Sequence, residues 1–276
     1  MPLAKIRETM PVLSPSVLRS SGRKRSLFGH VVEEIGSRIV SGAMKPNEPF
    51  PNEAVLGREF GASRSVIREA VKSLAAKGLL ESRTRTGIRV LPPVHWNLLD
   101  LEVLGWRYLS LPPREFFREL FEIRRMIEPE AAALAAERAT EDEITAIETA
   151  YRAMVDAEKT TNTAITADLT FHRAILAAGR NALLLQMGNL IGVGLLVSYR
   201  ISKDPFTVFL SRHRDVLSAI KRRRPAAARG AMDRLLVETR DFLETHLIDD
   251  QALMGRVSRS RSRGGSSRDR TTRLQP

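Results

Sequence analysis

From residue 95 onward the chain has no run of alternating apolar and polar residues, so nothing there reads as a half-buried strand. Instead, six segments repeat their apolar residues with a period near 3.6: 114–138, 141–159, 164–178, 181–199, 207–223 and 225–247. Amphipathic helices joined by short connections bury their apolar stripes against one another. Residues 113–250 are therefore predicted to form an all-helical bundle of six to seven helices.

Upstream the pattern is different. Leu27, Val31, Ile35 and Ile39 recur at four-residue steps, with Val32 and Val40 beside them, which predicts a helix over 27–42. "NEAVLGREFG" predicts a short second helix, with Asn52 as N-cap and Gly61 as its stop. "ASRSVIREAVKSLAAKGLL" predicts a third, capped by Ser63, with Ile67, Val71 and Leu74 on its apolar face and Gly78 at its end. "LLESRTRTGIRVL" reads as two short strands around a turn near Thr86 and Gly87. Three helices and a hairpin, in that order over 27–93, are the elements of a winged helix-turn-helix. The Pro-Pro pair of "VLPPVHW" closes this unit, and 94–112 is expected to be a linker. The fold class is thus mainly α, a winged helix-turn-helix followed by an all-α bundle.

The charge is unevenly distributed. Of the net +12, residues 1–27 carry +5, residues 254–276 carry +6, residues 28–93 carry +3 and residues 94–253 carry −2. The ends, 1–26 and 251–276, lack large apolar clusters and are expected to be disordered basic tails. Such tails attract any polyanion without specificity. The chain has no cysteine, which excludes a disulfide framework, a thiol nucleophile and thiolate metal sites, and fits a reducing, cytoplasmic setting. No apolar stretch is long enough for a membrane span, and no signal-peptide pattern opens the chain, so no membrane partner is expected.

A helix-turn-helix presents the N-terminal end of its second helix to the major groove. Here that end is "SRSVIRE". With Ile67, Val71 and Leu74 turned inward, Ser63, Arg64, Ser65 and Arg68 point outward, and the two arginines lie one turn apart. Arginine can pair bidentately with guanine O6 and N7, and serine can bind phosphate. Arg83, Arg85, Thr86 and Gly87, with Arg89, occupy the hairpin, where a wing would meet the DNA backbone or minor groove. A partner of double-stranded DNA, an operator, follows.

These residues carry a resemblance. The stretch from "IVSGAMKPNEPFPNE" to "ESRTRTGIRV", with its P-x-E, G-x-S-R-x-x-x-R-E-A and G-x-x-V elements, resembles the winged-helix domain of GntR-family transcription regulators. The resemblance implies that Arg64 and Arg68 read bases and that the wing enters the minor groove. Many members carry arginine after the P-x-E glutamate, where this chain has Ala54. "FEIRRMIEPEAAALAAERAT", "ADLTFHRAIL" and "SRHRDVLSAIKRRRPAAARGAM" are similar to the effector domain of the FadR-like subfamily, the type named FCD. "HWNLLDLEVLGW" is similar to a linker segment of members that respond to sugar acids such as galactonate.

Within "ADLTFHRAI", Asp168 and His172 stack on one helical face with Ile165, Ile175 and Leu176. By itself such a pair is a hydrogen-bonded core pair. A third residue changes its meaning, because His213 shares an apolar face with Phe209, Val216, Leu217 and Ile220. One carboxylate and two imidazoles suit Zn²⁺, Mn²⁺ or Ni²⁺, and the resemblance places a divalent metal on Asp168, His172 and His213. Many FCD domains have a further histidine where this chain has Leu235, and His246 lies 11 residues beyond it. Arg124, in step with Phe117, Phe121 and Glu128, and Arg240, in step with Leu236, Leu243 and Leu247, fall on faces that read as buried. Each needs a counter-charge, either an internal acid such as Glu128 for Arg124 or a carboxylate effector. The resemblance implies a homodimeric regulator, a repressor by expectation, whose hold on DNA changes when it binds a small carboxylate or sugar-acid effector; release is the more common sign in such regulators, and the sequence leaves the sign open. The rival readings are a metal-free effector pocket, a metal-dependent enzyme, and an architectural nucleic-acid binder acting through its tails.

Overall fold

The computed structural model describes residues 26–46, 48–83, 87–110, 113–157, 161–201 and 209–263. The N-terminal unit opens with α1 (Leu27–Val40), α2 (Glu53–Phe60) and α3 (Arg64–Ala76). Each helix starts where a side chain satisfies backbone N–H groups that the helix leaves unpaired. Ser26 accepts from Gly29, Asn52 from Ala54 and Val55, and Ser63 from Val66. Gly61 ends α2 in the left-handed region, at φ +60°. Strands β1 (Leu80–Arg83) and β2 (Gly87–Val90) then pair antiparallel, with Leu80 opposite Val90 and Arg83 opposite Gly87. One apolar stripe from each helix meets in a common core of Val31, Ile35, Ile39, Leu56, Ile67, Leu74 and Leu80. Leu27, expected on the α1 stripe, is 42% exposed at the helix start.

The segment expected to be a linker is structured. A short 3₁₀ turn (Pro93–His95) is pinned to the winged unit, the Trp96 indole donating to the Leu91 carbonyl and the Asn97 amide to the Lys77 carbonyl. Gly78 allows this approach, since its φ is +75° and a Cβ there would lie 2.1 Å from the His95 carbonyl oxygen. Helix α4 (Leu101–Ser110) follows. Its Val103 and Trp106 belong to the N-terminal core, while its Leu104 packs with Phe116, Phe117, Leu120, Phe121 and Val193. Residues 101–110 are therefore a helix used by both units, because consecutive apolar residues on a helix face different directions.

The C-terminal unit comprises α5 (Pro113–Arg138), α6 (Glu141–Asp156), α7 (Thr161–Ala178), α8 (Ala182–Gln186), α9 (Gly188–Ile201), α10 (Leu210–Lys221) and α11 (Pro225–Arg263). A capping box starts α6, with Thr140 and Glu143 each bonding the other's backbone N–H. Helix α5 lies along α11, α6 along α7, and α10 against α11. Alanines of α5 (Ala131, Ala132, Ala135 and Ala136) let neighbouring helices approach closely in the main core, which also takes in Ile147, Phe171, Ile175, Val216 and Leu235. Two expectations differ in extent. The segment 181–199 is two helices, divided at Met187. Helix α11 continues through 251–263, which was expected to be tail, and no proline from 226 to 263 interrupts it. The remaining tail residues, 1–25 and 264–276, lie outside the described residues. Among the described residues no helix is long and apolar enough to cross a membrane.

A close contact in the N-terminal unit joins α1 to α4. A Cβ built on Gly36 would lie 2.4 Å from the buried Trp106 ring. The indole is rigid and enclosed, so it cannot yield as a flexible side chain would. Gly36→Ala is expected to destabilise the fold by about 1–3 kcal/mol, as overpacking does. Denaturant unfolding would measure the loss, and Gly36→Ala combined with Trp106→Leu should recover part of it.

Candidate functional site

At the exposed N-terminal end of α3, Ser63, Arg64, Ser65 and Arg68 all face outward. Ile67, Ala70, Val71 and Leu74 hold the opposite face in the core. Ser63 caps the helix, and its hydroxyl lies 2.9 Å from that of Ser65. Arg68 directs its Nε at both carboxylate oxygens of Glu53, at 3.1 and 2.9 Å. Arg64 is exposed and makes no ion pair among the described residues. On the hairpin, Arg89 pairs across the strands with Glu81 at 2.6 Å. Arg83 and Gly87 face each other at the end of the ladder, where Gly87 takes φ +77°. Arg85 and Thr86 lie outside the described residues.

The second site is inside the bundle. Helix α7 supplies Asp168 and His172, one turn apart, and α10 supplies His213. All three are almost fully buried, and their candidate ligand atoms lie within 4.8 Å of one another. Both imidazoles present Nε2 to the same carboxylate oxygen, Asp168 Oδ1, at 3.4 Å for His172 and 3.2 Å for His213. The far side of each ring is oriented by a fixed acceptor. His213 Nδ1 lies 2.8 Å from the Phe209 carbonyl oxygen, and His172 Nδ1 lies 2.5 Å from Glu128 Oε2. A carbonyl can only accept, so His213 Nδ1 carries a hydrogen and Nε2 is turned toward the carboxylate. A proton on that nitrogen, or a metal cation between nitrogen and oxygen, would satisfy both atoms. Asp168 Oδ1 and Oδ2, His213 Nε2, His172 Nδ1 and Glu128 Oε2 are all buried without a well-directed hydrogen bond among the described residues, although the carboxylates and rings lie close together. The donor set therefore fits a divalent ion.

Glu128 on α5, outside the predicted trio, links it to Arg124. Its Oε1 lies 2.5 Å from Arg124 Nε, so one carboxylate joins a guanidinium to an imidazole. Burial pushes the Glu128 carboxyl up, but Arg124 and His172 outweigh it and hold the pKa at about 2. Burial opposes charge on His172, yet Glu128 and then Asp168 raise its pKa to about 9. Asp168 is likewise held below the usual carboxylate range, because its two imidazole neighbours outweigh its burial. With His172 protonated, the charges of Arg124 and His172 balance those of Glu128 and Asp168, and an ion bound at His172 Nε2 would displace that proton.

The two arginines expected on buried faces separate here. Arg124 is 2% exposed, stacks over the Phe121 ring at 5.0 Å, and keeps Nη1 without a hydrogen-bond partner among the described residues. Arg240 is not buried. Its side chain is 31% exposed and forks onto neighbouring Asp241, because it sits beside the buried stripe of Leu236, Thr239 and Leu243 rather than on it. Leu235 fills its place as an apolar core residue, and the His246 side chain lies outside the described residues.

Removing one partner from a buried ion pair strands the other. Arg124→Met is expected to cost about 3–5 kcal/mol of stability, and Arg124→Met with Glu128→Gln markedly less. Urea unfolding of the double-mutant cycle would measure both.

The chain matches the bacterial regulatory proteins of the gntR family over residues 27–90 and the FCD domain over residues 119–238. It is similar to the galactonate operon transcriptional repressor of Escherichia coli (strain K12), at 39% identity over 125 residues, 45% of this chain and 55% of that protein. It is also similar to the HTH-type transcriptional regulator LutR of Bacillus subtilis (strain 168), at 28% identity over 220 residues, 77% of this chain and 99% of the relative. With the Escherichia coli repressor the match spans about half the relative's length. Among solved structures, the fold is similar to that of Lar, which controls expression of the Listeria monocytogenes agr system. The TM-score is 0.55 at 18% identity, covering 81% of this chain and 99% of that one. These relatives are transcription regulators, which sets the enzyme reading aside. The two matched families follow the order of the two units, and the chain belongs to the GntR family of bacterial regulatory proteins, as a DNA-binding transcription regulator with an FCD domain behind its winged helix.

Proposed function

We propose that the protein is a cytoplasmic homodimeric repressor whose hold on its operator is released by a small carboxylate bound in the bundle. Two winged units would read two half-sites of a near-palindrome, since protein symmetry is mirrored in the DNA site. Ser63, Arg64, Ser65 and Arg68 would enter the major groove, and the hairpin carrying Arg83, Arg85, Thr86 and Gly87 would meet the neighbouring minor groove.

The observation that carries the effector half of this reading is the buried convergence of Asp168, His172 and His213, with the Asp168 oxygens and His213 Nε2 left without a well-directed hydrogen bond among the described residues. These three residues would hold a divalent ion, Zn²⁺ or alternatively Mn²⁺ or Ni²⁺. Bound there, the ion would offer open positions to effector oxygens. Arg124 would contribute Nη1 to the effector carboxylate, while Glu128 holds the guanidinium in place and orients His172. A sugar acid or other hydroxy-acid has the oxygens for both contacts, and a similar protein represses a galactonate operon. Helix α4 is the element through which an effector could favour one placement of the winged units over another, because its residues belong to the cores on both sides.

A second reading, an effector pocket without metal, draws on Leu235, which occupies a usual ligand place, and on the charge balance of the cluster. One experiment separates the two. Purified protein is expected to carry about one divalent ion per chain, and an aldonate at about a hundred times its Kd should stabilise it by about 2.7 kcal/mol. Thermal shift with metal analysis would read both effects, which should vanish with a chelator or in Asp168→Asn. A shift that survives chelation supports the metal-free pocket, and no shift across a panel of hydroxy-acids sinks the carboxylate effector.

A further inference from the structure

We infer that Glu53 is a specificity-determining residue. It is a positioning carboxylate that sets the plane of the Arg68 guanidinium before DNA arrives. The inference rests on the reading of α3 as the base-reading helix and names a residue on a different helix as part of the same recognition unit.

The geometry of the pair supplies the argument. Glu53 is the first residue of α2, where Asn52 caps the helix and a carboxylate is favoured by the helix dipole. Its position is therefore fixed independently of Arg68. Both carboxylate oxygens meet the same nitrogen of Arg68, Nε, at 3.1 and 2.9 Å. A guanidinium is planar and carries five N–H donors. With Nε engaged by Glu53, the Nη1 and Nη2 edge remains free, and that edge can span guanine O6 and N7. The Arg68 side chain is 65% exposed, against 30% for Glu53, so the held arginine still reaches outward. Arg64, one turn earlier on the same face, has no such holder among the described residues.

The consequence is a division of labour. An exposed arginine loses rotamer freedom when it docks on one base, and ordering it in advance removes part of that cost. A guanidinium of fixed plane also rejects a base pair whose acceptors are displaced, whereas a freely rotating one adapts. Arg68 should therefore discriminate sharply at one base pair per half-site, and Arg64 less so. Opposing this, Glu53 places a negative charge beside a polyanion, which by itself weakens binding to every sequence. The positional effect and the general electrostatic effect of removing Glu53 thus have opposite signs and can be told apart.

The test is selection of bound duplexes from a random DNA library by the full-length protein, with sequencing and competition binding. Wild type, Arg68→Ala, Glu53→Ala and the double variant would be compared. Both side chains are on the surface, and circular dichroism would confirm that each variant folds. Wild type is expected to enrich a near-palindromic site, and Arg68→Ala to lose about tenfold of its preference at one base pair per half-site, the size of a bidentate contact. Glu53→Ala should relax the preference at that same base pair and nowhere else, and the double variant should lose no more than Arg68→Ala. Glu53→Gln, which keeps the size and one acceptor, should fall between. Uniformly tighter binding by Glu53→Ala with an unchanged sequence preference would overturn the proposal, as would a sharper preference, which would mean that Glu53 restrains Arg68 from the DNA. An Arg68→Ala profile identical to wild type would also overturn it. No enriched sequence with wild type would overturn the operator reading and this inference with it.

Discussion

Five ionisable side chains in contact inside an apolar bundle constrain where three of its helices can lie. Removing a charge from water is costly, and only close, well-oriented partners offset that cost. Arg124, Glu128, His172, Asp168 and His213 form such a series, each within reach of the next. The series runs from α5 through α7 to α10, so a shift of any of these helices would strand a buried charge. Apolar packing around the cluster tolerates small rearrangements, but the cluster does not. Gly194 of α9 belongs to this constraint, because a Cβ there would lie 3.1 Å from Arg124 Cδ, and its absence leaves room for the guanidinium stem.

The same series reaches the N-terminal unit by apolar contact. Phe121 carries the Arg124 guanidinium on its ring and shares a cluster with Leu104 of α4. One residue to either side along the helix, Val103 and Gly105 are also buried, and Val103 and Trp106 belong to the winged unit's core. The exposed end of α3 differs in kind. Its charges are exposed, paired loosely or not at all, and individually contribute little to stability.

Much of the fold was legible because its signals are local. The caps at Asn52 and Ser63, the left-handed Gly61 and the hairpin around Gly87 follow from residue type and spacing, and each appears where the sequence puts it. The trio Asp168, His172 and His213 was legible because each residue is polar on an otherwise apolar helical face. Other features depend on tertiary placement. Arg124 and Glu128 could be paired by their four-residue spacing, but the approach of Glu128 to His172 depends on how α5 meets α7. Arg240 read as buried from spacing alone, yet it lies beside the stripe, and a period cannot fix a helix's rotation that closely. Glu53 and Arg68 are 15 residues apart, and only the angle between α2 and α3 brings them together. The membership of α4 in the N-terminal core was hidden by the Pro-Pro pair, which looks like a boundary in sequence but here precedes a turn that folds back onto Lys77 and Leu91.

The contact between Trp106 and Gly36 also bears on how such a protein can be recombined with its kin. A chimera cut at the prolines would leave the winged unit without Val103 and Trp106, opening a hole where the indole had been, and would give the transplanted bundle an apolar helix face with nothing to cover it. The natural exchangeable module therefore ends after Ser110. A recognition head carries its own α4 with it, and only the Leu104 side of that helix must be matched to the new bundle.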